Sequence, residues 1–252
     1  MTHLLTVNGL AKSYGGIEAV KDVSLAVAAG EMVALIGPNG AGKSTCFNMI
    51  NGQIRPDRGS ILMFGREAVG RSPAAIWRLG VGRTFQVAST FASMTVLENV
   101  QVALVSHAGT WRFFTGFERL WRVQAQALLD LVAIGAAAER PCGELAYGEL
   151  KRLELAVALS NDPKLLLMDE PTAGMAPGAR IALMALAAEI ARQRGIGILF
   201  TEHDMDVVFE HADRLLVLDH GRIIAEGTAD EIRRNPLVRA VYLGEGNGVL
   251  QQ

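Results

Sequence analysis

Four short apolar runs punctuate the chain: 31-EMVALIG-37, 164-KLLLMDE-170, 196-IGILFTE-202 and 214-RLLVLD-219. None alternates apolar with polar positions, as a strand wetted on one face would. Runs of this kind predict strands covered on both faces of a mostly parallel sheet. The segments between them change period. Residues 181–194, IALMALAAEIARQR, place Leu183, Leu186, Ala187, Ile190 and Ala191 on one helical stripe, and Gly195 supplies a stop. Strands alternating with such helices predict an α/β sheet with crossover helices. The first 30 residues and 58-RGSILMFG-65 read differently, as short strands with glycine turns, and predict an antiparallel β flank.

The middle of the chain lacks the strand pattern. Thr95 and Glu98 form a T-x-x-E capping box ahead of NVQVALV, and 118-ERLWRVQAQALLDLVAI-134 has strong helical character. This predicts a helical insert over residues 87–159, set into a core made of residues 1–86 and 160–252. Thr228 and Glu231 repeat the capping box before a last helix. Five of the chain's fifteen aromatics, Trp111, Phe113, Phe114, Phe117 and Trp121, crowd into 111-WRFFTGFERLW-121. They fill the insert's small core or, where exposed, mark a protein interface.

Composition narrows the classes. With 252 residues, half of them hydrophobic, the chain has enough material for a sizeable core. A formal charge of −2 gives no basic footprint for nucleic acid or anionic lipid. Two cysteines, Cys46 and Cys142, make no disulfide framework and suit a reducing compartment. The opening MTHLLTVNGL has neither a basic start nor a long apolar stretch, so no secretion signal is expected. No run approaches the roughly 18 apolar residues of a membrane span, so any membrane role is expected to come through partners.

The chemistry begins at 37-GPNGAGKS-44, directly after the strand MVALI. A triphosphate carries several negative charges, and a glycine-rich turn lets backbone N–H groups close around them without Cβ obstruction. The following helix, KSTCFNMI, aims its positive end at the same anion. Lys43 is expected at the β- and γ-phosphates, and the Ser44 hydroxyl at Mg²⁺. Asp169 ends the run KLLLMD, where a carboxylate can hold Mg²⁺ through its water shell. Glu170, one residue on, turns to another side and is expected to act as base on the water that attacks the γ-phosphate. His203 likewise lies just past a buried strand, at the carboxyl edge where ligands of such sheets bind. His3, His107, His211 and His220 are read as structural.

Together these residues resemble the ATP-binding subunit of an ABC transporter, from end to end. GPNGAGKST, covering Gly37, Pro38, Asn39, Gly40, Ala41, Gly42, Lys43, Ser44 and Thr45, is similar to Walker A. LLLMDE is similar to Walker B with its catalytic glutamate. TFQ resembles the Q-loop, which implies Gln86 as a catalytic residue and a metal-side ligand with Ser44 and Asp169. TEHD places His203 as the switch histidine. The family's LSGGQ signature corresponds to 145-LAYGE-149, covering Leu145, Ala146, Tyr147, Gly148 and Glu149: Tyr147 replaces the first glycine of the pair and Glu149 the glutamine, while Gly148 and the helix start remain. Tyr14 of KSYGG resembles the aromatic that stacks on adenine. The D-loop position that carries Asp or Asn in the family holds Ala176 here, which implies weaker cross-talk between paired ATP sites. VGRTFQ, the AYG form of the signature, EHDMDVV and VRAVYLGE look like the branched-chain amino-acid importer group, particularly its larger ATPase subunit; urea, amide and aromatic-acid importers share much of this.

The resemblance implies a P-loop NTPase core of ABC type, ATP and Mg²⁺ as cofactors, and a head-to-tail pair with a second ATPase subunit, hetero- or homodimeric. It further implies two membrane permeases, indirect coupling to a solute-binding protein, no nucleic acid, and a peripheral location on the cytoplasmic face of the membrane. A GTPase would need N-K-x-D after a strand, and the chain has none. A nucleoside kinase has no use for LAYGE. DNA-repair ABC proteins carry long coiled-coil insertions, and translation factors usually carry two ATPase halves; this chain has one half and a short insert.

Overall fold

The computed structural model describes residues 3–84, 90–108 and 117–244, with the backbone alone for 117–120 and 242–244. The first half runs β1 (His3–Tyr14), β2 (Ile17–Ala28), β3 (Met32–Ile36), α1 (Lys43–Ile50), β4 (Arg58–Met63), β5 (Arg66–Glu67), α2 (Pro73–Arg78), β6 (Val81–Thr84), α3 (Val96–Ala108) and α4 (Phe117–Leu131). The second runs α5 (Tyr147–Leu159), β7 (Leu165–Asp169), α6 (Pro177–Arg194), β8 (Gly197–Thr201), α7 (Met205–His211), β9 (Arg214–Asp219), β10 (Arg222–Gly227), α8 (Ala229–Arg234) and α9 (Pro236–Gly244).

Six strands form the central sheet in the order β10-β9-β3-β8-β7-β6. All neighbours are parallel except β10, which returns antiparallel beside β9. The four strands read from the apolar runs are its middle. Their side chains divide strictly by parity. Met32, Ala34 and Ile36 of β3, Leu166 and Met168 of β7, and Ile198 and Phe200 of β8 enter one core with α3, α5 and α6. Val33, Leu35, Leu165, Leu167 and Leu199 enter the other, with Cys46, Phe47 and Ile50 of α1. Both faces are covered, which is why no polar alternation survives in the sequence.

The predicted flank is a four-stranded antiparallel sheet, β2-β1-β4-β5, packed over the second core. The helices of the 87–159 segment share the first core: Val96, Leu97 and Val100 of α3 and Ala125 and Leu129 of α4 are buried in the same cluster as β7 and β8. Both capping boxes form. Thr95 Oγ1 accepts from Glu98 N at 3.1 Å while Glu98 Oε2 accepts from Thr95 N at 2.7 Å, and Thr228 with Glu231 repeats the exchange. Gly195, at φ +66°, closes α6 as its sequence position predicts. Of the crowded aromatics, Trp121 packs partly buried against the first core; Trp111, Phe113 and Phe114 lie outside the described residues.

Candidate functional site

The site sits where β3, β8 and β7 end side by side. Residues 37–42 leave β3 and turn into α1. Two glycines there are fixed by close packing: a Cβ on Gly37 would lie 2.1 Å from the Leu218 carbonyl oxygen, and one on Gly42, at φ +105°, 2.4 Å from that of Ala19. Gly40, at φ +81°, faces open space instead, so the loop is clamped on one side and open on the other. Lys43 Nζ curls back onto the Gly37 and Pro38 carbonyls at 2.6 and 3.0 Å. Burial lowers the Lys43 pKa, and the charges of Glu170 and Asp169 pull it upward. The ammonium is thus held on the loop's own carbonyls, within electrostatic reach of both acids.

Asp169 ends β7, and its Oδ1 accepts from Thr201 Oγ1 at the end of neighbouring β8, 2.8 Å away. Behind it Arg83 on β6 brings a guanidinium within 3.8 Å of Oδ2. Burial lowers the Arg83 pKa while Asp169 opposes the shift. Glu170 adopts φ +48°, a left-handed conformation that costs a non-glycine residue about 1–2 kcal/mol. Its backbone N–H is anchored to Thr201, 3.1 Å from both the carbonyl and the hydroxyl. The twist brings Glu170 Oε1 to 2.8 Å from His203 Nε2. With the carboxylate ionised, Nε2 carries the proton and donates. Strain of this kind persists where the surroundings over-determine it, as at active sites.

Lys43, Asp169, Glu170 and His203 thus converge, with Ser44 and Thr45 opening α1 beside them. These donors fit a magnesium nucleotide. Magnesium keeps several waters and takes one or two protein oxygens plus phosphate oxygens, and Ser44 and Asp169 are such a pair. Among the described residues no cluster of three His, Cys, Asp or Glu side chains offers a closed metal cage. Gln86 lies outside the described residues.

The other predicted ligands stand apart in this single chain. Tyr14 is exposed at the β1–β2 turn, with Lys12 Nζ 5.7 Å from its ring centre. Leu145 and Ala146 lead into α5, whose first turn carries Tyr147, Gly148 and Glu149. Glu149 is occupied locally: Oε2 accepts from Ala146 N at 2.9 Å, and Oε1 lies 3.2 Å from Arg140 Nη1. Ala146 has no side-chain acceptor, so only half a capping box forms there. The Tyr147 hydroxyl donates to the Ala173 carbonyl at 3.0 Å.

Sequence reasoning missed Arg83, Thr201 and Glu202. Glu202 is buried and its Oε1 accepts from both the backbone N and the Oγ1 of Thr172, at 2.8 and 2.7 Å. Thr201 and Glu202 lie inside the quoted run IGILFTE, directly before His203, and that adjacency was the available signal. Arg83 lies inside the quoted VGRTFQ, but nothing in that stretch announced its pairing with Asp169.

Comparison with known proteins places the chain in a family. The family described as ABC transporter matches residues 20–173, and the branched-chain amino acid ATP-binding cassette transporter family matches residues 222–247. The chain is 41% identical to the high-affinity branched-chain amino acid transport ATP-binding protein LivG of Salmonella typhimurium, over 96% of this chain and 98% of that one. It is 39% identical to the corresponding protein BraF of Pseudomonas aeruginosa over the same shares. Among solved structures, the ADP conformation of an ATP-binding cassette of an ABC transporter aligns with a TM-score of 0.86 and 32% identity, covering 97% of this chain and 100% of that one. A nucleotide-free cassette aligns with a TM-score of 0.84 and 31% identity, covering 95% and 98%. The chain belongs to the ABC transporter ATP-binding proteins, in their branched-chain amino acid group, and is an ATPase.

Proposed function

We propose that the chain energises uptake of branched-chain or related amino acids by hydrolysing ATP at the Lys43–Asp169–Glu170–His203 site. The observation that carries this reading is the 2.8 Å pairing of His203 with a conformationally strained Glu170, beside the loop that holds Lys43. The loop amides of residues 37–42 and the start of α1 receive the phosphates, and Lys43 exchanges its carbonyl partners for phosphate oxygens. Mg²⁺, held by Ser44, Asp169 and Gln86, would offset charge on the phosphate oxygens. Glu170 takes a proton from the attacking water as its oxygen bonds to the γ-phosphorus and the bond to the β–γ bridging oxygen breaks. His203 holds Glu170 in position and steadies the γ-phosphate. Tyr14 stacks on adenine.

The exposed 145–149 turn is left for the ATP of a second ATPase subunit packed head to tail, identical or related. Closure on ATP and release after hydrolysis then drive two permeases, with a solute-binding protein delivering the cargo. Among the described residues no helix is long and apolar enough to cross a membrane, so attachment to the cytoplasmic face runs through the permeases. We place a cytoplasmic permease segment in a groove of about 230 Å³ lined by Trp77, Phe91, Asn99, Val102, Ala103, Ser106 and Val157. Phe91 and Val102 are 52% and 40% exposed there, an apolar surface with polar Asn99 and Ser106 between. The solute assignment is supported by the match over residues 222–247 and by the names of the relatives.

The test is reconstitution of the subunit with its co-purified permeases and solute receptor in vesicles. Uptake of labelled leucine that requires internal or external ATP on the subunit's side is expected, with valine and isoleucine competing. Transport of urea or short amides with none of leucine would reassign the solute.

A further inference from the structure

Tyr147 occupies a signature-turn position, and its contacts run away from that turn. Its hydroxyl donates to the Ala173 carbonyl, 26 residues on in sequence, at 3.0 Å. Its ring lies against Gly174: a Cβ there would stand 3.4 Å from Cε1, and Gly174 holds φ +78°. One helical turn further along α5, Lys151 Nζ sits 5.5 Å from the ring centre and pairs with Glu154 at 3.0 Å, both buried. The aromatic ring is therefore fixed from beneath by a cation and at its tip by a backbone acceptor.

Ala173 belongs to a tight turn directly after Glu170. Ala173 N donates to the Glu170 carbonyl at 3.2 Å, and Met175 N to that of Thr172 at 3.1 Å. Thr172 is in turn bonded twice to buried Glu202, whose other oxygen accepts from His203 N at 3.2 Å. A path of hydrogen bonds, joined by the 172–173 peptide link, thus runs from Tyr147 through Ala173, Thr172 and Glu202 to His203, and His203 meets Glu170. Glu170 itself is strained and depends on its neighbours to stay in place.

We propose that Tyr147 is a positioning residue for hydrolysis: its hydroxyl clamps the 172–175 turn and thereby holds the Glu170–His203 pair in register. The proposal rests on the reading of Glu170 as base. It makes the 145–149 turn sensitive in both directions, since a movement of α5 is felt at Glu170 and a movement at Glu170 is felt at α5. Leucine or phenylalanine at 147 would keep the bulk but lose the clamp.

The experiment is steady-state ATP turnover by the assembled transporter carrying Tyr147→Phe, with melting temperature measured in parallel. Losing one hydrogen bond that orients the reacting groups is expected to lower kcat about five- to tenfold, with KM for ATP unchanged and the melting temperature lower by no more than about 2–4 °C. Thr172→Val removes the hydroxyl bond to Glu202 while leaving the backbone bond, and gives the second arm. If both act along one path, the double variant falls little below the worse single one; losses that multiply would overturn the path. Parental kcat in Tyr147→Phe, alongside a Glu170→Gln variant that has lost turnover, overturns the clamp and leaves the base in place. Parental turnover in Glu170→Gln overturns both.

Discussion

Ala176 opens α6 with an extended conformation, φ −65° and ψ 148°, yet it brings no side-chain acceptor to that 18-residue helix. Its carbonyl accepts from the N–H groups of Ala179 and Arg180, as an N-cap residue's should. An Asp side chain at an N-cap ordinarily accepts from the N–H groups two and three residues on, here Gly178 and Ala179. Ala176→Asp is expected to stabilise the chain by about 1 kcal/mol, a rise of about 2–4 °C in melting temperature. An unchanged or lower melting temperature contradicts that account. The local helix therefore gains from the family's usual residue here, and its replacement by alanine is not explained by stability. Weaker cross-talk to a partner's ATP site is the reading it supports, and Ala176→Asp should raise the cooperativity of hydrolysis in the assembled pair.

At the scale of elements, Arg214 at the start of β9 ties the two sheets together. Its Nε donates to Glu31 Oε1 at 2.8 Å, Nη1 pairs with Glu226 of β10, and Nη2 donates to the Ala26 carbonyl of β2 at 2.6 Å. Burial alone would raise the Glu31 pKa, but the Arg214 hydrogen bond and charge, with the Ala28 N–H, hold it below the ordinary 4.5. A folded-state pKa below the unfolded value gives stability that is fully present above about pH 4.5 and is lost as pH falls through the folded value. Arg214→Ala is expected to cost about 2–3 kcal/mol at pH 7. Denaturant titrations should show that difference shrinking as pH drops below the usual carboxylate range; a difference independent of pH contradicts the linkage. Such ties also mark what a sequence hides. β3, β7, β8 and β9 were legible because burial on both faces leaves an uninterrupted apolar run. β6 and β10 were not, since VGRT is four residues long and β10 is only half-covered. Arg214 reaches Glu31 across 183 residues, and no local pattern announces that.

In the whole molecule, one sheet edge gathers the chemistry. Lys43, Asp169, Glu170 and His203 could each be read from sequence because each follows an apolar strand, and a parallel sheet brings the carboxyl ends of its strands together. What pairing would join them could not be read: Thr201 on Asp169, Arg83 behind it, and Tyr147 on Ala173 depend on how separate elements pack. The helices of residues 87–159 share a core with the sheet strands that carry Asp169 and His203. Displacement of those helices by the permease segment proposed for the Phe91–Val102 groove would therefore bear on the same packed body as the hydrolytic pair. Glu170, acting as base, is the residue proposed to make this body an ATP-driven engine. Its most direct test is steady-state phosphate release by the assembled transporter carrying Glu170→Gln, with ATP binding measured in the same sample. Turnover is expected to fall by about 10²–10⁴ with ATP binding retained. Turnover at the parental rate would contradict it.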